Sequence, residues 1–253
     1  MSLHVERVGE GPDLVLLHGW GLHSGAWDEA VPRLAKRFRV HAVDLPGHGH
    51  SAGVAAAGFD EAAHAVASCV PPGAICCGWS LGALFAQRIA REFPQRVRAL
   101  ALVSATPCFV QREGWPHAMA AKTLEGFAAG LQADRDRTLR DFVHLNALHG
   151  TGGREAVRAF TGRLAQRGAP NLAALEATLA WLRHTDLRAE VARIACPTRL
   201  VHGGRDVLVP PEAGRWLAAR IPGARLVELA DAAHLPFFTH REAFMNAVES
   251  LVA

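Results

Sequence analysis

Ala74-Ile75-Cys76-Cys77-Gly78-Trp79-Ser80-Leu81-Gly82 is a short apolar run that ends in Gly-x-Ser-x-Gly, and Ala83-Leu84-Phe85-Ala86-Gln87-Arg88-Ile89-Ala90 continues it with helical character. Strand, sharp turn and helix is the context in which this pentapeptide lifts a serine hydroxyl above the edge of a sheet. Such a turn forces Ser80 into a strained backbone conformation where bulky neighbours collide, and Gly78 and Gly82 remove the collisions. Leu81 then opens the helix. Its backbone N–H is one of the unpaired donors at a helix N-terminus, where negative charge is favoured. Ser80 is therefore a candidate nucleophile and the Leu81 N–H a candidate oxyanion donor. The competing reading is a Gly-rich strand-to-helix turn without chemistry, and the rest of the chain weighs against it.

On the N-terminal side, Leu3 to Val8 reads as a strand closed by Gly9-Glu10-Gly11-Pro12. Leu14-Val15-Leu16-Leu17 is a continuous apolar run, the pattern of a strand buried on both faces. It leads into His18-Gly19-Trp20-Gly21, a loop type that supplies a second oxyanion donor beside an elbow, here the N–H of Trp20. His18 is read as a structural hydrogen-bonding group. Ser24 to Ala35 is expected to be a helix with Ser24 as N-cap. Arg39 to Val43 is the next strand, and Asp44-Leu45-Pro46-Gly47-His48-Gly49-His50-Ser51 a structural turn. Ser51 has no elbow around it. A helix over Phe59–Val70 precedes the elbow strand.

On the C-terminal side, Arg98 to Val103 is another buried strand. From about Cys108 to Arg193 the sequence is helical in character, rich in Ala, Leu and Arg. Alternation resumes with Thr198 to Gly203 (strand), Pro211 to Arg220 (helix), Ala224 to Leu229 (strand) and Phe238 to Leu251 (helix). Alternation of this kind predicts a mostly parallel, doubly wound α/β sheet. The expected organisation is one domain, with residues 1–107 and 194–253 as the core and 108–193 as a helical lid inserted over the site.

A serine hydroxyl needs a base within hydrogen-bond reach and a third group to orient that base. On such a sheet the partners follow in the order Ser, Asp or Glu, His. Asp206, in Gly203-Gly204-Arg205-Asp206, follows one buried strand. His234, in Asp231-Ala232-Ala233-His234-Leu235-Pro236-Phe237, follows the last strand. Both fall at the carboxyl ends of strands, the edge that carries Ser80. Asp231 is a rival acid, but it lies only three residues from His234. The chemistry expected is acyl transfer through Ser80, with His234 as base and Asp206 as orienting acid. It needs no cofactor and no metal, and no motif for either is visible. Trp20 and Trp79 flank these groups in sequence and are expected to bind substrate.

The 253 residues carry a formal net charge of +3, too small to argue for a nucleic-acid partner. No apolar run is long enough to span a membrane, and the first residues, Met1-Ser2-Leu3-His4-Val5-Glu6-Arg7, show no apolar signal core. The five cysteines have no metal-ligand spacing and read as reduced thiols. A cytoplasmic monomer is expected.

The chain resembles the pimeloyl-[acyl-carrier protein] methyl ester esterases of biotin biosynthesis, a branch of the α/β-hydrolases, along essentially its whole length. The more specific matches are His18-Gly19-Trp20-Gly21-Leu22, Gly78-Trp79-Ser80-Leu81-Gly82, Pro107-Cys108-Phe109 followed by Trp115-Pro116, Thr185-Asp186-Leu187-Arg188, and Ala232-Ala233-His234-Leu235-Pro236-Phe237. The resemblance implies the α/β-hydrolase fold and a triad of Ser80, Asp206 and His234. It implies oxyanion donors at Trp20 and Leu81, and a lid phenylalanine, Phe142, on the acyl chain. The implied substrate is a pimeloyl methyl ester on acyl carrier protein, docked by lid arginines matching Arg137, Arg154 and Arg158. A further family arginine is replaced by Asp141 here, with Arg140 as a possible substitute.

From residue 134 to 167, seven arginines stand against four acids, an excess as large as the formal charge of the whole chain. A basic face of this kind steers an acidic partner. Three other readings stay open: a promiscuous short-chain esterase without a carrier, a different chemistry on the same triad, and a non-catalytic binding protein on a hydrolase fold.

Overall fold

The computed structural model describes residues 2–164, 166–167 and 170–252. The elbow strand, β4 (Ala74–Trp79), lies at the centre of a seven-stranded sheet. With β1 (Val5–Val8), β2 (Asp13–Leu17), β3 (Arg39–Val43), β5 (Val97–Val103), β6 (Thr198–Gly203) and β7 (Arg225–Leu229), the spatial order is β1-β3-β2-β4-β5-β6-β7. Only β1 runs antiparallel, on β3; every other pairing is parallel. Helices cover both faces, so the central strands are apolar on both sides. Along β2, Val15 and Leu17 enter one core, while Leu14 and Leu16 enter the other. The first core packs α2 (Phe59–Ser68), α3 (Leu81–Glu92) and α8 (Pro211–Arg220) on the sheet. The second packs α1 (Val31–Leu34), α9 (Pro236–Thr239) and α10 (Arg241–Glu249).

Two expected helices are broken, each for a physical reason. The Ser24–Ala35 segment forms a 3₁₀ turn, Ser24–Trp27, and then the single turn α1. His23, not Ser24, caps it, its Nδ1 accepting from the Gly25 N–H at 3.1 Å. Pro32 has no N–H to offer the carbonyl of Asp28, so a continuous helix loses a bond there. The C-terminal helix breaks at His240 (φ −123°, ψ 54°), whose Nε2–H donates to Asp231 Oδ1 at 3.1 Å. A side-chain bond to the loop after β7 thus competes with straight propagation of the helix.

Between β5 and β6 the chain runs through α4 (Ala121–Ala133), α5 (Arg135–Ala147), α6 (Gly153–Arg163) and α7 (Leu172–His184). Among the described residues this stretch holds only isolated β-bridges and no strand, the pairs being Cys108↔Asp186, Val110↔Met119 and Arg112↔Trp115. This inserted stretch is tied to the rest of the chain at two places. At its neck, motifs far apart in sequence meet. Leu187 N–H donates to Pro107 O at 2.9 Å, Trp115 Nε1–H donates to Cys108 O at 2.9 Å, and Arg188 pairs with Asp186 at 2.7 Å. At the end of α6, buried Arg163 pairs with Glu29, and beyond it Arg167 pairs with Glu6 and Asp28. No helix among the described residues is long and apolar enough to cross a membrane.

Candidate active site

Ser80 stands between β4 and α3 with φ 56° and ψ −117°, a positive φ that costs a non-glycine residue on the order of 1–3 kcal/mol. The flanking glycines are required by close approach. A Cβ on Gly78 would lie 2.3 Å from the Gly82 carbonyl oxygen, and one on Gly82 would lie 2.2 Å from the Leu17 carbonyl oxygen. The turn thus presses α3 onto the end of β2, bringing the Leu81 amide towards the His18–Gly21 loop. Neither the Leu81 nor the Trp20 N–H donates to a protein acceptor among the described residues, so both remain available to an anion.

The loop after β6 carries Asp206 and the loop after β7 carries His234, both buried. His234 Nδ1–H donates to Asp206 Oδ2 at 2.6 Å. Asp206 Oδ1 accepts from the Leu208 and Val209 N–H groups at 3.0 and 2.9 Å. Burial alone would raise the Asp206 pKa; the imidazole of His234, its hydrogen bond, His202 and the Val209 N–H together outweigh burial and hold the carboxyl below its ordinary value. His234 Nε2 is buried without a hydrogen-bond partner among the described residues, Ser80 included. Ser80, Asp206 and His234 follow the parallel strands β4, β6 and β7 and so stand at one edge of the sheet. Asp231 faces elsewhere, accepting from Thr151 Oγ1–H at 2.8 Å and from His240.

The α/β-hydrolase fold model matches residues 12–241. The pimeloyl-[acyl-carrier protein] methyl ester esterase of Nitrosomonas europaea is 42% identical over 251 residues, covering 99% of each chain. That of Chromobacterium violaceum is 42% identical over 248 residues, 98% of this chain and 97% of its own. The chain belongs to the α/β-hydrolase family, in its pimeloyl-[acyl-carrier protein] methyl ester esterase branch. Among solved structures, an esterase from Exiguobacterium antarcticum superposes with a TM-score of 0.86 at 25% identity, covering 99% of this chain and 94% of its own. A bromoperoxidase from Bacillus anthracis reaches 0.88 at 22% identity, covering 99% and 95%, a likeness of fold alone.

In this esterase the remaining predicted residues separate into groups. Trp20 stacks edge-on against Phe142 at 4.9 Å, and Phe142 against Phe127 at 5.6 Å. Trp20 Nε1–H donates to the Leu175 carbonyl on α7 at 3.1 Å, so the His18–Gly21 loop is joined to three of the inserted helices, α4, α5 and α7. Trp79 lies in the other core, against Phe160 and Phe237. Its Nε1–H donates to the His234 carbonyl at 2.8 Å. Arg137, Arg140, Arg154 and Arg158 are all exposed. Arg137 is paired with Asp141 at 3.7 Å, so the acid at the departed family position also engages a neighbouring arginine. Arg154 and Arg158 line an open groove of about 930 Å³ together with His144 and His149.

His18 makes the structural hydrogen bonds expected of it, whereas His48 beside it and His202 beside Asp206 had no signal in the sequence. His18 Nδ1–H donates to Gly19 O at 2.8 Å, and its Nε2 accepts from the Leu45 N–H at 3.0 Å. His48 Nδ1–H donates to Pro46 O at 3.0 Å, and its Nε2 accepts from the Gly21 N–H at 3.4 Å. Both must be neutral to accept. Burial is the main cause that lowers His18 to about 3 and His48 to about 4. His202 Nε2–H donates to Val209 O at 2.9 Å and lies 3.6 Å from Asp206 Oδ2. Burial lowers its pKa too. Burial likewise pushes the Cys76 thiol up to about 12 and raises Cys77 well above its ordinary value, which leaves both inert as nucleophiles.

Proposed function

We propose that this protein is a serine carboxylesterase that hydrolyses the methyl ester of a pimeloyl group carried on acyl carrier protein, in the biotin-forming role its family resemblance implies. The observation that carries the reading is the buried His234–Asp206 pair at 2.6 Å, whose free Nε2 belongs to the loop held by Trp79, the residue before Ser80. Ser80 Oγ attacks the ester carbonyl carbon as His234 Nε2 takes the hydroxyl proton. The Trp20 and Leu81 N–H groups stabilise the oxyanion, each worth on the order of 100- to 1000-fold in turnover. Asp206 holds the imidazole with Nδ1–H towards itself, leaving Nε2 to receive the proton and pass it to departing methoxide. Methanol leaves, an acyl-enzyme remains, and water attacks it with the same base. The free acid and the Ser80 hydroxyl are regenerated.

The four inserted helices serve as the lid, residues 108–193; Trp20 and Phe142, in contact with each other, are assigned to the acyl chain, and Trp79, which packs in the other core, is assigned to the site through its place beside Ser80 and its bond to the His234 carbonyl. Carrier docking is assigned to exposed Arg140, Arg154 and Arg158, with Arg137 contributing less because Asp141 engages it. The names of the relatives support the carrier substrate.

The experiment is turnover of pimeloyl-carrier-protein methyl ester beside p-nitrophenyl acetate, for the wild type and for a variant with Arg140, Arg154 and Arg158 changed to Ala. The expected result is a selective loss of about tenfold or more in kcat/KM on the carrier substrate at low salt, the magnitude of electrostatic steering. Cleavage of the small ester alone, and equally by both proteins, identifies a general short-chain esterase instead.

A further inference from the structure

The turn between α5 and α6 has contacts that covering a site does not require. His234 N–H donates to the carbonyl of Asn146, the penultimate residue of α5, at 3.0 Å. Five residues on, Thr151 meets the same loop twice: its N–H donates to the Asp231 carbonyl at 2.9 Å and its Oγ1–H to Asp231 Oδ2 at 2.8 Å. Between them, Gly150 sits so close to Ala233 that a Cβ would lie 2.7 Å from the Ala233 Cβ and 2.8 Å from its backbone nitrogen. From the core side, Arg205 Nη1–H donates to the His149 carbonyl at 3.1 Å. The backbone of His234 is thus held on both sides, its N–H by the α5–α6 turn and its C=O by the indole of Trp79.

We propose that the α5–α6 turn, through the Asn146 carbonyl, Gly150 and Thr151, is a positioning element for the base His234, so that the lid sets the aim of the imidazole as well as covering the site. The inference rests on the triad reading above. The core holds the same loop through the Arg205 N–H on the Ala232 carbonyl at 2.9 Å, the Trp79 indole and His240, and the turn adds a second set of bonds from the opposite side. Asp206 fixes the ring orientation through Nδ1, but the height of the ring above the sheet follows the backbone of residues 231–234. That backbone is bonded to the turn at Asp231 and His234 and packed against it at Ala233. The same turn lines the groove that carries Arg154 and Arg158, so a load on that surface is one turn of chain from the base.

The test is steady-state kinetics with p-nitrophenyl acetate, which needs no carrier, on Gly150→Ala, Thr151→Val and Thr151→Ser, with melting temperatures alongside. Gly150→Ala must push Ala233 away. Displacements near 1 Å cost up to about 100-fold in rate, so a fall in kcat of about tenfold or more with KM little changed is expected. Thr151→Val removes only the hydroxyl bond and should lower kcat by a smaller factor, which Thr151→Ser restores while melting stays close to wild type. Unchanged kcat in both Gly150→Ala and Thr151→Val, with only melting lowered, overturns the proposal and makes the turn a structural clip. A change confined to KM overturns it too, placing the effect in the acyl pocket. Ser80→Ala and His234→Ala run beside them: if either keeps full activity the triad reading fails, whereas if both are dead and the turn variants are normal, only this inference fails.

Discussion

Asp206→Asn tests the chemistry at one atom. The two carboxylate oxygens have unlike partners. Oδ1 accepts from two backbone N–H groups, of Leu208 and Val209, and Oδ2 accepts from His234 Nδ1–H. A carboxamide of the same shape must place its single oxygen towards the two N–H donors, because its NH₂ would leave both buried donors unsatisfied at about 1–3 kcal/mol each. The NH₂ then faces His234, donates to Nδ1 and drives the ring proton to Nε2. In that tautomer the ring has no lone pair for the Ser80 proton. The expected loss is about 10⁴-fold in kcat, roughly 5 kcal/mol on the barrier. Stability should change far less, since the backbone hydrogen bonds survive. The assay is kcat on p-nitrophenyl acetate together with a melting curve. A folded Asp206→Asn variant that loses less than about tenfold would refute the assignment, because a wrong tautomer cannot be that mild.

Gly82→Ala should destabilise by about 3 kcal/mol or more, because its Cβ would lie 2.2 Å from Leu17 O and 2.7 Å from His18 O, and backbone atoms cannot rotate aside; urea unfolding reads this, and a loss under about 1 kcal/mol would show that α3 can slide. Acid should weaken the fold over a defined window. His18 and His48 titrate at about 3 and about 4 when folded but near the ordinary 6.5 when unfolded. Below 6.5 the unfolded chain therefore binds protons that the folded one does not. Their contribution is complete above pH 6.5 and falls as pH drops towards 4, by up to about 1.4 kcal/mol per pH unit for each histidine. Flat stability between pH 6.5 and 4.5 would contradict neutral, hydrogen-bonded histidines under the oxyanion loop.

The parts of this protein legible in its sequence are those set by local physics. An apolar strand, two glycines around Ser80 and a helix behind it define the elbow within residues 74–90, because the sharp turn brings Gly78 against Gly82 a few residues along the chain. Buried parallel strands show as unbroken apolar runs, and chain order on such a sheet places Asp206 and His234 at the Ser80 edge. What the sequence left open depends on partners far away in the chain. Seven arginines between 134 and 167 look alike as charges. Only the tertiary structure buries Arg163 against Glu29, ties Arg167 to Glu6 and Asp28, and leaves Arg154 and Arg158 exposed in a groove. Ser24 to Ala35 reads as a helix until Pro32 and the Trp27–Phe237 contact at 4.4 Å take the segment onto the second core. The grip of Asn146, Gly150 and Thr151 on the His234 loop has no local signature at all. It is made of backbone carbonyls, a missing Cβ and one hydroxyl, groups whose role is decided by what folding places opposite them.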